Sequence, residues 1–129
     1  MTHPNEEILR MQDKALMAGD VAGFFDGFTD DVVAHIGGKN PLAGTYKGKE
    51  QLQEAFGKWM EMSGNLQQNT HDILANDTHG VVIGDYSVEK NGKTAQSRAV
   101  QILHFKGGKV SEAWIFDEDP YTTDAFYNS

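Results

Sequence analysis

The 129-residue sequence contains no cysteine, only three prolines and no long apolar run. The absence of cysteine excludes a disulfide scaffold, a thiol nucleophile and every thiolate zinc site. Without a long apolar run there is no candidate membrane-spanning helix, and the charged first ten residues do not resemble a signal peptide. We therefore expect a cytoplasmic protein with no membrane partner.

Basic residues are also scarce, with 11 Lys and Arg against 19 Asp and Glu, which gives a formal net charge of −8. Proteins hold phosphate groups by neutralising them with Lys and Arg, so we expect no nucleic-acid partner and no polyphosphate substrate. Residues 110–129 contain five carboxylates and neither Lys nor Arg. This concentration predicts an acidic rim that suits neutral ligands better than anionic ones.

Motifs for cofactors and metals are likewise missing. There is no G-x-G-x-x-G for a dinucleotide, and AGTYKGKE lacks the spacing and the final Ser or Thr of a phosphate loop. His35, His71 and His104 fall on separate predicted strands, without the H-x-x-x-H spacing of a helical metal pair. We expect neither a cofactor nor a metal site.

Hydrophobic periodicity predicts one α+β domain spanning residues 1–129. Helices are expected at 6–18, from 20 to about 28 and at 49–62, and the tail 121–127 is expected to form at most one helical turn. Strands are expected at 32–36, 66–75, 80–90, 94–106 and 109–117, with tight turns at Asn91-Gly92 and Gly107-Gly108. This order predicts three helices on the concave face of a curved antiparallel sheet, with a cavity between the two layers.

Three segments carry a family resemblance: LMAGDVAGFFDGFTDDVV, PLAGTYKGKEQLQEAF and GGKVSEAWIF. Together they resemble the first two helices, the third helix and the final hairpin of SnoaL-like and ketosteroid isomerase-like proteins. The resemblance runs from about residue 6 to 119. It implies the cone-shaped fold of the nuclear-transport-factor-2-like superfamily, also called cystatin-like, with a pocket and commonly a homodimer. It leaves the reaction open, because fold does not fix function.

The catalytic residues of the family, carried over by this resemblance, are only incompletely matched. The tyrosine of the isomerases falls on Gln12, and their aspartate base falls on Ile36, or on His35 if one residue is shifted. The acidic base and the histidine of the SnoaL-like cyclases fall on Ile115 and Gln101. Limonene epoxide hydrolases also need an arginine that is missing from the third of the five predicted strands. All three chemistries are therefore incomplete.

The hairpin at Gly107-Gly108 predicts which residues share a face, because it opposes Gln101 to Ile115 and Ile102 to Trp114. By the resemblance, the face with Gln101, Leu103, Ile115 and Asp117 lines the cavity. The other face carries Val100, Ile102, Trp114 and Phe116, which a second subunit would cover, making a homodimer; packing under a loop or the tail is the alternative. The same register predicts an ion pair between Arg98 and Glu118.

His35 is the first candidate for acid–base chemistry, because its ordinary pKa suits proton transfer near neutral pH. It shares a strand face with Val33 and is expected to point inward, although a structural histidine at a strand end is an equal alternative. Asp117 would serve as base or orient His35, against the alternative of a solvated carboxylate. Tyr46 and Trp59 are expected to wall the cavity, with Trp59 chiefly a core residue.

Two functions follow from these residues. The first is an acid–base isomerase or cyclase for a small, neutral, mostly apolar ring compound, with His35 or Asp117 as base and Tyr46 or Gln101 as donor to an oxyanion. The second is a non-catalytic binding or dimerisation domain with the same cavity. The first requires these four side chains to converge on one cavity.

Overall fold

The computed structural model describes residues 2–129. Its ten elements are the helices α1 (Pro4–Met17), α2 (Val21–Phe25), α3 (Lys49–Ser63) and α4 (Pro120–Tyr127), and the strands β1 (Phe28–Ile36), β2 (Gly44–Lys47), β3 (Asn65–Ala75), β4 (His79–Lys90), β5 (Lys93–Lys106) and β6 (Lys109–Asp117).

The strands form one curved sheet in the order β2-β1-β6-β5-β4-β3. The predicted α+β architecture is confirmed, with three differences. The sheet is mixed, because β1 runs parallel to β6. Part of the glycine-rich segment, predicted as a loop, forms the edge strand β2. The tail forms a complete fourth helix, α4, instead of a single turn.

The first two helices begin and end at residues with the expected chemistry. Pro4 starts α1, and the Asp20 side chain caps α2 by accepting a hydrogen bond from the Gly23 backbone N at 2.9 Å. The predicted second helix was too long, since α2 ends at Phe25 and Phe28 opens β1. The Gly27 carbonyl accepts from the Val110 backbone N at 2.8 Å, so the chain there is already bonded to β6.

The Asn91-Gly92 hairpin fixes the register of the whole β4–β5 ladder, whereas the β5–β6 ladder shifts register between His104 and Phe105. Asn91 and Gly92 both have positive φ, 55° and 81°, as a two-residue hairpin turn of the primed type requires. The predicted opposition of Gln101 to Ile115 and of Ile102 to Trp114 is confirmed. Alternation then separates an inner face, turned toward the helices, from an outer face turned away from them.

The predicted ion pair between Arg98 and Glu118 is wrong. Arg98 donates from Nε to Oδ1 of Asp85 at 2.7 Å and from Nη2 to Oδ2 at 3.1 Å. Asp85 is the direct cross-strand neighbour of Arg98 in the β4–β5 ladder, so its carboxylate is already within bidentate reach. Glu118 meets Arg98 through the backbone, where its N donates to the Arg98 carbonyl at 2.7 Å.

The core lies between the inner face and the helices, in two clusters. The larger is centred on Leu9, Phe25, Val32, Leu103 and Val110, and the smaller on Leu42, Val88, Ala95, Phe126 and Tyr127. The smaller cluster depends on α4, which supplies two of its five buried residues. Among residues 2–129, no helix is long and apolar enough to cross a membrane.

Candidate functional site

A cavity of about 400 Å³ lies between the inner face of the sheet and the helices. The cavity has room because three residues on the inner face of the sheet have small side chains. Ala34, Ala99 and Ala113 each project only a methyl group into it. Aromatic side chains form much of the wall, and they are Phe24, Phe25, Phe28, Phe56, Trp59, Tyr86 and Tyr127. Such a lining, apolar with a few polar groups, is typical of small-molecule sites.

Four of the seven side chains predicted for the site line this cavity: Trp59, Gln101, Ile115 and Asp117. Leu103 lies on the same inner face but is 2% exposed within the larger core cluster, so it supports the floor and does not line the cavity. His35 lies on the outer face, and Tyr46, although its ladder partner Ala34 is on the inner face, is not part of the lining. The convergence that the acid–base hypothesis required is therefore incomplete.

His35 points to the outer face, and the expectation that it faces inward was wrong. Its ring stacks on Trp114 with centroids 5.3 Å apart and planes 15° apart. Nε2 is 2.7 Å from Oε2 of Glu112, and Nδ1 is 3.2 Å from Oγ1 of Thr45. The buried residues of this part of β1 are Val32 and Ala34, so the alternation puts His35 on the other side.

Tyr46 does not wall the cavity, again against expectation. It lies opposite Ala34 in the β1–β2 ladder, and its hydroxyl donates to the Leu42 carbonyl at 2.6 Å. This bond closes the loop that precedes β2. The phenol proton of Tyr46 is therefore committed to the backbone and does not reach a ligand in the cavity.

Asp117 lies at the end of β6 and accepts three hydrogen bonds. Oδ2 accepts from the Tyr86 hydroxyl, and Oδ1 accepts from the Ser97 hydroxyl and from the Asp119 backbone N, the last at 2.9 Å. Because the Tyr86 proton is used in this way, the Thr123 hydroxyl, 3.0 Å away, donates to the Tyr86 oxygen. Asp117 is thus the centre of a network that joins β4, β5, β6 and α4.

Two phenols of the lining stay protonated over a wide pH range. Burial raises the pKa of Tyr86 far above its ordinary value, and the adjacent Asp117 carboxylate raises it further. Burial also raises the pKa of Tyr127. The Tyr127 hydroxyl is 2.8 Å from the Ser63 hydroxyl and accepts from Trp59 Nε1 at 3.1 Å. Both phenols are therefore neutral and already hydrogen-bonded.

Gln12, where the isomerase resemblance would require a phenol, is a structural residue. Its side chain is 6% exposed, and Nε2 donates to the Phe24 carbonyl at 3.2 Å, which ties α1 to α2. It does not line the cavity. The position that would donate to an oxyanion is thus occupied by a group that bonds the backbone.

Sequence reasoning missed several polar residues around the cavity, among them Gln68, Tyr86, Ser97 and Thr123. A usable signal existed for two of them, because the Asn91-Gly92 hairpin opposes Tyr86 to Ser97 and counting across that turn puts both on the inner face. Gln68 could not be found in this way, because the β3–β4 ladder shifts register between Thr70 and Asp72. Thr123 had no such signal because α4 was expected to be a single turn.

The charge of the lining is negative. Asp117 and Asp124 contribute to it, whereas no Lys, Arg or His of residues 2–129 does. Asp124 accepts from the Lys39 backbone N at 3.0 Å and from Asn40 Nδ2 at 2.7 Å, which fastens α4 to the loop after β1. Within the described range, no three His, Cys, Asp or Glu side chains come together as a metal site would require. An anion in this cavity would meet two carboxylates and no cationic side chain of the described range.

The outer face carries an apolar band. Val100 opposes Phe116, and Ile102 opposes Trp114, which places the four residues predicted for a dimer interface side by side. Phe116 is 52% exposed. Leu74 of β3 extends the band, because its ladder partner Val81 pairs in turn with Ile102, and Leu74 is 50% exposed. Phe116, near the end of β6, also borders the cavity, and the rest of the band lies on the opposite side of the sheet from the cavity floor.

The chain is similar to known proteins over nearly its whole length. The family model for the SnoaL-like domain matches residues 8–113. An uncharacterized protein of Mycobacterium tuberculosis, Rv0034, is 27% identical over 124 residues, which cover 94% of each chain.

Solved structures give the same result for the fold. A Xanthomonas campestris protein with a cystatin-like fold is 27% identical, with a TM-score of 0.89 over the whole of both chains. A nuclear-transport-factor-2-like protein of Burkholderia pseudomallei is 17% identical, with a TM-score of 0.89 over 99% of this chain and all of that one. The fold is therefore nuclear-transport-factor-2-like, as the sequence predicted.

Proposed function

The chain belongs to the SnoaL-like domain family, and from that premise we propose that it binds a small, neutral, mostly apolar ring compound in the cavity. One observation carries the proposal: a cavity of about 400 Å³ with aromatic walls, two carboxylates and no cationic side chain from residues 2–129. Aromatic walls offer large buried contact area to a ring, and the carboxylates disfavour an anionic one.

Calorimetric titration with 2-naphthol and 2-naphthoate tests this function. The two compounds share a ring system, but near neutral pH the first is uncharged and the second is an anion. We expect 2-naphthol to bind with a negative heat-capacity change, as burial of apolar surface requires, and 2-naphthoate to bind at least about tenfold more weakly. Equal affinities would contradict the electrostatic argument, and binding of neither compound would contradict the function.

A matched pair of variants locates the binding. Ala99→Leu fills the floor of the cavity, whereas Gln96→Leu introduces the same side chain at an exposed outer-face position of the same strand. The first should abolish the calorimetric signal of 2-naphthol, and the second should leave it unchanged. Equal effects of both variants would place the ligand elsewhere.

Proton transfer by Asp117 is a second candidate function, favoured by the position of this carboxylate in the cavity wall. Oδ2 carries a single hydrogen bond, from Tyr86, and Gln101 in the same lining could donate to a developing oxyanion. Exchange of the α-hydrogens of 2-tetralone in D₂O, followed by proton NMR, tests it. Catalysed exchange that Asp117→Asn abolishes would support the role, and no exchange above the buffer rate would exclude it for this ketone.

We further propose a homodimer through the outer face, with Val100, Ile102, Trp114 and Phe116 buried against a second copy. The support is the apolar band itself, because an exposed apolar patch of this kind marks an interaction surface in a soluble protein. Sedimentation equilibrium should give a dimer for the wild type and a folded monomer for Ile102→Lys. Lys93→Ile, at the exposed far end of the same strand, is the control and should remain dimeric. A monomeric wild type at all concentrations would contradict the proposal.

A further inference from the structure

Two glutamine side chains in the cavity lining lack the hydrogen-bond partners that the other polar side chains of the lining have. Trp59, Asn40, Tyr86, Asp117, Thr123, Asp124 and Tyr127 each have at least one hydrogen-bond partner within the protein. The side chains of Gln68 and Gln101 line the same cavity, yet neither is hydrogen-bonded to any of residues 2–129. Both are partly buried, so water is their alternative partner while the cavity is empty of ligand.

The two amides lie at different ends of the sheet's inner face. Gln68 of β3 pairs with Tyr86, and Gln101 of β5 pairs with Val82, four residues away along β4. Four residues of strand correspond to about 13 Å, and one strand separates β3 from β5. A single polar group on a ligand therefore cannot satisfy both amides.

A ligand that displaces the water must replace its hydrogen bonds, because a buried amide without a partner is costly. Each amide offers both a donor and an acceptor, so a hydroxyl or a carbonyl oxygen suits it equally well. The negative lining excludes carboxylates and phosphates as the matching groups. The complementary groups are uncharged oxygens at two separated positions of an apolar ring system.

We infer that Gln68 and Gln101 are the specificity-determining residues of the cavity, and that they select an uncharged ring compound with an oxygen function at each end. This inference rests on the proposed binding function and narrows its ligand class. Neither amide is hydrogen-bonded to another side chain or to the backbone of residues 2–129. Their contribution is therefore to discriminate between ligands of one shape that differ in their oxygens.

Naphthalene, 2-naphthol and 2,6-dihydroxynaphthalene test the inference by calorimetry, because they share a ring system and carry no, one or two hydroxyls. We expect affinity to rise about tenfold with each hydroxyl, as one net hydrogen bond to a buried partner provides. In Gln101→Leu, the gain in affinity from 2-naphthol to 2,6-dihydroxynaphthalene should disappear. Naphthalene should bind to this variant at least as well as to the wild type. The double variant Gln68→Leu/Gln101→Leu should bind all three compounds alike.

Gln67→Leu is the matched control, because Gln67 precedes Gln68 on β3 and is exposed on the opposite face. This variant should keep the full rise in affinity from naphthalene to 2-naphthol and to 2,6-dihydroxynaphthalene. Binding of all three compounds with equal affinity by the wild type would overturn this inference and leave the binding function standing. Binding of none of them would overturn both. A Gln101→Leu variant that loses naphthalene and the diol in equal measure would also overturn the inference, since the side chain would then act only through packing.

Discussion

The hydrogen bond between Tyr86 and Asp117 stabilises the fold by an amount that can be worked out from its surroundings. Tyr86→Phe removes a phenol that donates to a carboxylate and accepts from Thr123 at 3.0 Å. A hydrogen bond to a charged group contributes about 1.5–3 kcal/mol, and a neutral one about 1 kcal/mol. Part of this is recovered because the phenylalanine ring no longer buries a polar oxygen. We expect the free energy of unfolding to fall by about 2 kcal/mol.

A double-mutant cycle in urea isolates the pair. Asp117→Asn keeps an acceptor for Ser97 and for the Asp119 backbone N, but it removes the charge that strengthens the bond from Tyr86. Tyr86→Phe should then cost only about 1 kcal/mol in the Asp117→Asn background, which gives a coupling free energy of about 1 kcal/mol. A coupling below about 0.3 kcal/mol would refute the argument that the charge of Asp117 is what holds the Tyr86 proton.

Three further predictions concern stability. Gly57 lies within α3 with no atom within 4 Å of an added Cβ, so Gly57→Ala should raise the free energy of unfolding by about 0.5–1 kcal/mol in urea titrations; a decrease would contradict the helical assignment there. The buried Thr29 hydroxyl has no hydrogen-bond partner within residues 2–129, so the isosteric Thr29→Val should stabilise by about 1 kcal/mol, whereas destabilisation would reveal a partner. The pKa values of Tyr86 and Tyr127 are raised in the folded state, and this stabilises the fold below pH about 10. The stabilisation is lost as the pH rises further, because these phenols then ionise in the unfolded chain and stay protonated in the folded one. The unfolding free energy of Tyr86→Phe should therefore fall less steeply between about pH 9 and about pH 11 than that of the wild type, and equal slopes would contradict the burial of this phenol.

The central hairpins could be predicted because the sequence marks their turns. Asn91-Gly92 and Gly107-Gly108 permit the positive φ angles that two-residue turns need, and a fixed turn fixes the register on both sides. Counting outward from Asn91-Gly92 reproduces the whole β4–β5 ladder, so local sequence was sufficient there. The β5–β6 ladder shifts register between His104 and Phe105, and the observed opposition of Gln101 to Ile115 depends on this bulge, which the turn alone does not predict.

The face of β1 could not be predicted in the same way. Val32, Val33 and Ala34 are all apolar, so alternation of polarity does not indicate which side is buried. The ladder with β6 also shifts register between Phe28 and Val33, which breaks the count from the preceding helix. The inward side is decided by packing against the helices, and the result places His35 on the outer face with Trp114.

The tail helix α4 explains why the polar end of the cavity was the part of the site that was hardest to predict from the sequence. The network around Asp117 is complete only because α4 returns to the sheet, with the Asp119 backbone N and the Thr123 hydroxyl as two of its members. α4 also brings Tyr127 against Ser63 and Trp59 of α3. Both phenol hydroxyls and three of the lone pairs of Asp117 are engaged in hydrogen bonds at this end of the cavity. The groups most suited to chemistry are thus used to hold α4, whereas Gln68 and Gln101 have no side-chain hydrogen bond to any of residues 2–129. This division of roles supports the proposed binding function more than the proposed proton transfer.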